Sequence, residues 1–304
     1  MTPLPPFSFP LYLAAKKSVD DRALNRLVWQ RLADELARRD PAGPRLEVLE
    51  IGAGIGTMCE RVMEWGLLKR AHYTAIDGEG ANVAVARSRL EERSSGELIL
   101  RWEQDDVFEF AARPEQQQCY DLLIAHAVLD LFDVPRALPR LLQVLKPGGL
   151  CYFTINFDGA TIFEPAIDPA LDAQIEALYH RSMDERITDG QPSGDSRTGR
   201  HLFHLLPAAG VAILAAGSSD WVVYAVDRNY PQDEAYFLHC ILHFVESTLT
   251  GHPALDGTAF ARWLAERQRQ IAAGELVYIA HQMDFVGRLQ HTKPAKVSLT
   301  SWSD

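Results

Sequence analysis

Basic residues are scarce in this sequence, and long apolar runs are absent. Asp and Glu number 41 against 30 Lys and Arg, a formal net charge of −11, and no Lys/Arg block stands out. A nucleic-acid partner normally wants a basic face, so none is expected. No apolar run approaches the roughly 18–20 residues of a membrane span, so no membrane partner is expected either. The four cysteines, Cys59, Cys119, Cys151 and Cys240, stand apart without a C-x-x-C pair and read as buried thiols in a reducing compartment. The opening stretch MTPLPPFSFPLYLAAKK lacks a basic n-region and carries four prolines before any apolar run, unlike a secretory signal. Together these absences point to a soluble, cytoplasmic protein.

What is present centres on LEVLEIGAGIGT, Leu46 to Thr57. An alternating apolar run ends in Glu50 and Ile51, and glycines follow at every second position, Gly52, Gly54 and Gly56. The run suits a strand. The glycines suit a sharp strand-to-helix turn where backbone N–H groups face a ligand. Thr57 stands where a dinucleotide fingerprint wants its third glycine. An acid just before the first glycine also sits badly beside a pyrophosphate and well beside a cationic amino-acid head group. Both points count against a nicotinamide-dependent oxidoreductase.

The chain of 304 residues, 47% of them hydrophobic, has enough material for one large domain with an elaborated cap. Residues 1–11 read as extended and Tyr12–Arg39 as helical. Strands are expected at Leu46–Ile51, His72–Ile76, Leu98–Trp102, Tyr120–Ala125 and Leu150–Ile155, with helices at Thr57–Trp65, Ala81–Glu92 and Val134–Val144 between them. Further on, Pro169–Ile187 reads as a helix, Thr188–Arg200 as a Gly-rich loop and His201–Leu206 as a short helix. Val211–Ala216, Trp221–Val226 and Glu275–His281 are strand candidates; Asp233–Leu249 and Thr258–Ala272 look helical. Repeated β-α units with short buried strands imply an α/β fold with a doubly wound, mostly parallel sheet. The division expected is an N-terminal segment and cap helix at 1–45, a core at 46–157, the rest of the sheet with helical insertions at 158–291, and a polar tail at 292–304.

The stretch Glu50–Gly56 resembles motif I of the class I S-adenosylmethionine (SAM)-dependent methyltransferases. Later pieces follow in the family's order: Asp77-Gly78 at the end of the second strand, Asp106 after the third, the segment Ile124–Phe132, and the turn Leu145–Gly149. The resemblance covers about residues 46–157. It implies a seven-stranded sheet with an antiparallel end, SAM as cofactor, and an N-terminal helix and helical insertions capping the active site. It also implies cofactor contacts at Glu50, Gly52, Ala53, Gly54, Asp77, Gly78, Asp106, Val107 and His126, with Tyr12 in reach. Asp77 would accept from the ribose hydroxyls and Asp106 from the adenine amine, although either acid also suits a helix N-cap. A non-catalytic SAM-binding scaffold or regulatory protein remains the alternative to an enzyme.

No Pro-Pro-aromatic segment follows the fourth strand and no Pro-Cys dipeptide exists, which disfavours nucleobase or glutamine methylation. The acids of a metal-dependent catechol-type site are missing, and His239 and His243 read as core or cap-facing, so no metal is expected. A small-molecule acceptor is the expected partner, on a monomer or homodimer. His126, just after the fourth strand, is the first candidate base, and Asp130 the second. Arg197 and Arg200 flank a glycine-punctuated turn and are expected, with His201 and Tyr236, to contact the acceptor.

Overall fold

The computed structural model describes residues 6–40, 42–188 and 190–290. The chain opens with two helices, α1 (Phe9–Ala23) and α2 (Arg26–Ala37). The pattern read as one helix from Tyr12 is broken because the Asn25 side chain accepts from the backbone N–H groups of Leu27 and Val28 and starts α2 afresh. The helix also begins earlier than expected, with Pro10 in its first turn, where a missing N–H costs nothing.

Five strands with four α-helices between them follow: β1 (Leu46–Ile51), α3 (Thr57–Glu64), β2 (Ala71–Asp77), α4 (Gly80–Leu90), β3 (Leu98–Gln104), α5 (Val107–Ala112), β4 (Tyr120–His126), α6 (Val134–Leu141) and β5 (Leu145–Glu164). Then come α7 (Pro169–Asp184), a hairpin of β6 (Ile187–Thr188) and β7 (Gln191–Pro192), α8 (Thr198–Ala208), β8 (Val211–Ser218), β9 (Trp221–Val223), α9 (Glu234–Leu249), α10 (Gly257–Ala273) and β10 (Val277–Leu289). The sheet runs β3-β2-β1-β4-β5-β10-β8, with β9 added to the start of β10. Among the described residues it therefore has eight strands where seven were expected. The first five are mutually parallel, and β10 lies antiparallel between β5 and β8.

Alternation along β1 and β4 sends side chains to opposite faces. Val48, Leu122 and Ile124 join the core under α1 to α4, whereas Leu49, Ile51, Leu123 and Ala125 join the core under α5, α6 and α8. Each such fully buried aliphatic contributes about 1.5–3 kcal/mol. The strand order reverses between β1 and β4, which opens a crevice at their C-terminal ends. Over that crevice α1 docks on α9: Tyr12 stacks on Phe237 at 5.9 Å and meets Phe244 edge-on at 5.1 Å. Cys59, Cys151 and Cys240 are buried thiols, but Cys119 is only half-buried. Among the described residues no helix is long and apolar enough to cross a membrane. The expected tail at 292–304 lies outside the described residues.

Candidate active site

The crevice holds two adjoining cavities. The smaller, of about 110 Å3, is floored by the glycine turn and lined by Glu50, Gly52, Ala53, Gly54, Asp77 and His126. Gly52 and Gly54 take φ of +60° and +55°, and a Cβ on Gly54 would stand 2.9 Å from Leu13 Cδ1 of α1. A side chain there would be both strained and obstructed. Glu50 is fully buried and accepts from the Tyr73 hydroxyl at 2.7 Å. Burial pushes its carboxyl up to about 8, against the opposing pull of Tyr73 and Arg61. Asp77 accepts from Gly54 N–H at 2.7 Å, and from Glu79 N–H and the Asn82 amide at 2.9 and 3.1 Å. Its carboxylate thus ties the glycine turn to the start of α4. Asp106 is exposed and N-caps α5 through Phe108 and Glu109 N–H groups. It stands with Val107 and Gly78 along the same edge of the sheet, beyond the small cavity.

His126 is held by protein partners at both ring nitrogens. Its Nε2 lies 3.0 Å from Asp20 Oδ2 and 3.2 Å from Arg61 Nη1, and its Nδ1 lies 2.8 Å from the Thr154 hydroxyl. Burial pushes the imidazole down to about 4, so it is neutral at pH 7. The arrangement that satisfies both nitrogens has Nε2–H donating to Asp20 and the Thr154 hydroxyl donating to Nδ1. No ring nitrogen is left for a base, which corrects the sequence expectation. Asp20 is itself fully buried and also accepts from the Trp221 indole at 2.9 Å and Lys16 at 3.1 Å. Burial raises its pKa, but Lys16, His126 and Arg61 outweigh that and hold the carboxyl well below the ordinary range.

The larger cavity, of about 420 Å3, is walled by Tyr12, Phe157, Tyr179, Trp221, Phe244 and Tyr278. Lys16, Asp130, Arg186 and Gln282 are its charged and amide groups. Phe9, Leu13, Lys16, Ala127 and Leu131 belong to both cavities, so one opens beside the other. Asp130 Oδ1 and Gln282 Nε2 are buried without a hydrogen-bond partner among the described residues. Burial raises the Asp130 pKa, opposed by Arg186 and Lys16. The hydroxyls of Tyr12, Tyr179 and Tyr278 likewise make no hydrogen bond to the described residues.

The other residues expected to bind the acceptor do not line this cavity. Arg200 pairs with Asp158 at 2.8 Å and also donates to its backbone carbonyl. Arg197 is exposed at the N-cap of α8, and His201 meets Asp195 at 2.6 Å. The physical reason is that Thr188–Arg200 is no free loop: the β6-β7 hairpin and the start of α8 consume it. Tyr236 donates to the Pro6 carbonyl and receives Ser8 N–H, pinning the N-terminal segment on the outer face. Tyr12 belongs to the larger cavity and not to the one beside the glycines. Sequence reasoning missed Arg186 and Gln282; no motif marks them, since a bend after α7 and a late strand bring them in. Among the described residues no group of three or more His, Cys, Asp or Glu could hold a metal ion.

Residues 48–149 match the family described as methyltransferase domain. No curated protein matches. Among solved structures, a putative methyltransferase of Bacillus halodurans is similar, at 12% identity over 85% of this chain and 98% of its own, with a TM-score of 0.49. A putative sarcosine dimethylglycine methyltransferase of Galdieria sulphuraria is similar at 16% identity over 87% of this chain and 82% of its own, TM-score 0.44. Phosphoethanolamine N-methyltransferase 2 of Haemonchus contortus, solved with SAM, shares 13% identity over 94% of this chain and 60% of its own, TM-score 0.43. The residues of the small cavity fit SAM: a buried acid, an uncluttered glycine backbone and a carboxylate at the end of β2. Its volume is below the roughly 300–1,000 Å3 of ligand pockets, and Leu13 and Phe9 of α1 are among the side chains that line it.

Proposed function

We propose that this chain is a class I SAM-dependent methyltransferase and methylates a small organic molecule held in the aromatic cavity beside the glycine turn. The observation that carries this reading is the common wall of the two cavities, through Lys16, Ala127 and Leu131. SAM, when bound, supplies a methyl carbon activated by its sulfonium. Glu50 would take the amino-acid ammonium, and Asp77 the ribose hydroxyls, where a carboxylate accepts two hydrogen bonds. The aromatic walls orient the acceptor and keep water out. Asp130 lies on the acceptor side with an oxygen that lacks a donor among the described residues. It is therefore the group that would receive the proton of an acceptor hydroxyl or amine.

Labelled SAM, incubated with the protein and a cell extract, should transfer its methyl group into the low-molecular-weight fraction. Transfer into protein or nucleic acid alone would overturn the reading. Asp77→Ala should weaken binding of S-adenosylhomocysteine, followed by calorimetry, by about 1.5–3 kcal/mol, the range for hydrogen bonds to a charged group. Unchanged affinity in a folded variant would remove Asp77 from the cofactor site.

A further inference from the structure

Arg186 is a cation on the wall of the larger cavity whose side chain has no partner among the described residues. It follows the last turn of α7, and its backbone is fixed at both ends: the N–H donates to Met183 and the carbonyl receives Ser193 N–H at 2.8 Å. Gly194 makes room for its head group, since a Cβ there would stand 3.4 Å from Arg186 Cζ. The half-buried guanidinium makes no hydrogen bond or ion pair with the described residues. A partly desolvated guanidinium with open donors is costly unless something accepts from it. Lys16, the other cation of the cavity, is already committed to Asp20 at 3.1 Å. The nearest acid on this wall is Asp130, which feels Arg186 through space but forms no ion pair with it. Six aromatic rings, Tyr12, Phe157, Tyr179, Trp221, Phe244 and Tyr278, face the space, with aliphatic and hydroxyl side chains between them.

We infer that the acceptor is a flat aromatic acid, its ring among these side chains and its carboxylate held in the planar fork of Arg186. The inference rests on the reading that this cavity takes the methyl acceptor. A carboxylate presents two oxygens with the spacing that a guanidinium matches and a lysine does not. Aromatic walls favour a flat ring over a flexible chain. With the acid end on Arg186, a hydroxyl or amine on the same ring can lie against Asp130, which shares the wall. The Tyr12, Tyr179 and Tyr278 hydroxyls and the Gln282 amide remain as donors for further oxygens on the ring.

The test uses the full chain saturated with S-adenosylhomocysteine, titrated calorimetrically with hydroxynaphthoate, its uncharged carboxamide and naphthol. The acid should bind about tenfold or more tighter than the carboxamide, the size of one charge-assisted hydrogen bond. Arg186→Gln should bring acid and carboxamide within about twofold of each other, and Arg186→Lys should restore only part of the gap. Arg197→Gln, on the surface nearby, should leave the gap intact. Equal binding of acid and carboxamide to the unaltered protein overturns the inference, as does a preference that survives Arg186→Gln. In both cases aromatic binding itself would still support the acceptor cavity. If S-adenosylhomocysteine binds but none of the three aromatics does, the reading of the cavity as a small-molecule site fails as well.

Discussion

Glu50 is where one side chain shapes the behaviour of the cofactor site. Its carboxyl, raised by burial from an ordinary 4.5 to about 8, holds its proton at pH 7 when the cavity is empty. An ammonium arriving beside it favours the carboxylate, so cofactor binding must expel that proton. Affinity for SAM should therefore rise with pH, by up to about tenfold per unit, and level off above the folded pKa. The stability of the free protein should run the other way. Above pH 4.5 the unfolded chain ionises Glu50 while the folded chain keeps it protonated, so this group lowers stability until pH reaches about 8. Glu50→Gln should flatten both curves; an affinity for SAM that ignores pH between about 6 and 8 would contradict the assignment. The acid was legible in the sequence because it precedes the glycines. The fate of His126 was not. Its partner Asp20 is 106 residues away, on a helix whose docking no local pattern specifies. The same holds for Arg186, which lines the larger cavity with Asp130 although no motif joins them.

At the scale of elements, the five parallel strands and the helices between them could be read because glycine turns, buried short strands and helix stops repeat in order. The later half was harder, for a physical reason visible in β10. Asp284 is fully buried in that strand, where it accepts from Asn25 and Ile155 backbone N–H groups at 2.8 Å each. A buried acid breaks the apolar pattern, so the strand read as Glu275–His281 in fact runs Val277–Leu289 and lies inside the sheet. That acid also fixes the join between α1 and α2. The N-terminal helix is more than a cover: Asp20 of α1 pairs with the buried Arg61 and Lys16. Removing one partner of a buried ion pair typically costs about 3–5 kcal/mol, so truncation through Asp20 must lower stability together with turnover. Leu13 offers a cleaner probe. It is half-buried, lies over Gly54 and lines the small cavity. Leu13→Ala should cost less than the roughly 2–5 kcal/mol of a fully buried leucine. It should also speed SAM association in stopped-flow measurements, because α1 then has less distance to move. Association no faster than in the unaltered protein would mean that α1 does not limit entry.

For the whole molecule, charge sets the approach of ligands before any contact forms. The chain carries a net −11, and surface charges sum into a field that reaches as far as the Debye length, about 30 Å at 0.01 M salt and about 8 Å at 0.15 M. SAM carries a sulfonium, an ammonium and one carboxylate, a net single positive charge, so that field draws it in. An aromatic acid is repelled at long range and attracted only within the reach of Arg186. Salt removes the long-range part first and leaves the partly buried fork largely intact. Raising salt from about 0.01 M to about 0.15 M should therefore slow SAM association, speed that of hydroxynaphthoate and leave its carboxamide unchanged. Stopped-flow fluorescence can follow all three, with Trp221 on the cavity wall as a reporter. If the acid instead slows with salt as SAM does not, the cations at the cavity mouth dominate the local field. If acid and carboxamide respond alike, the net charge of the molecule does not reach the crevice.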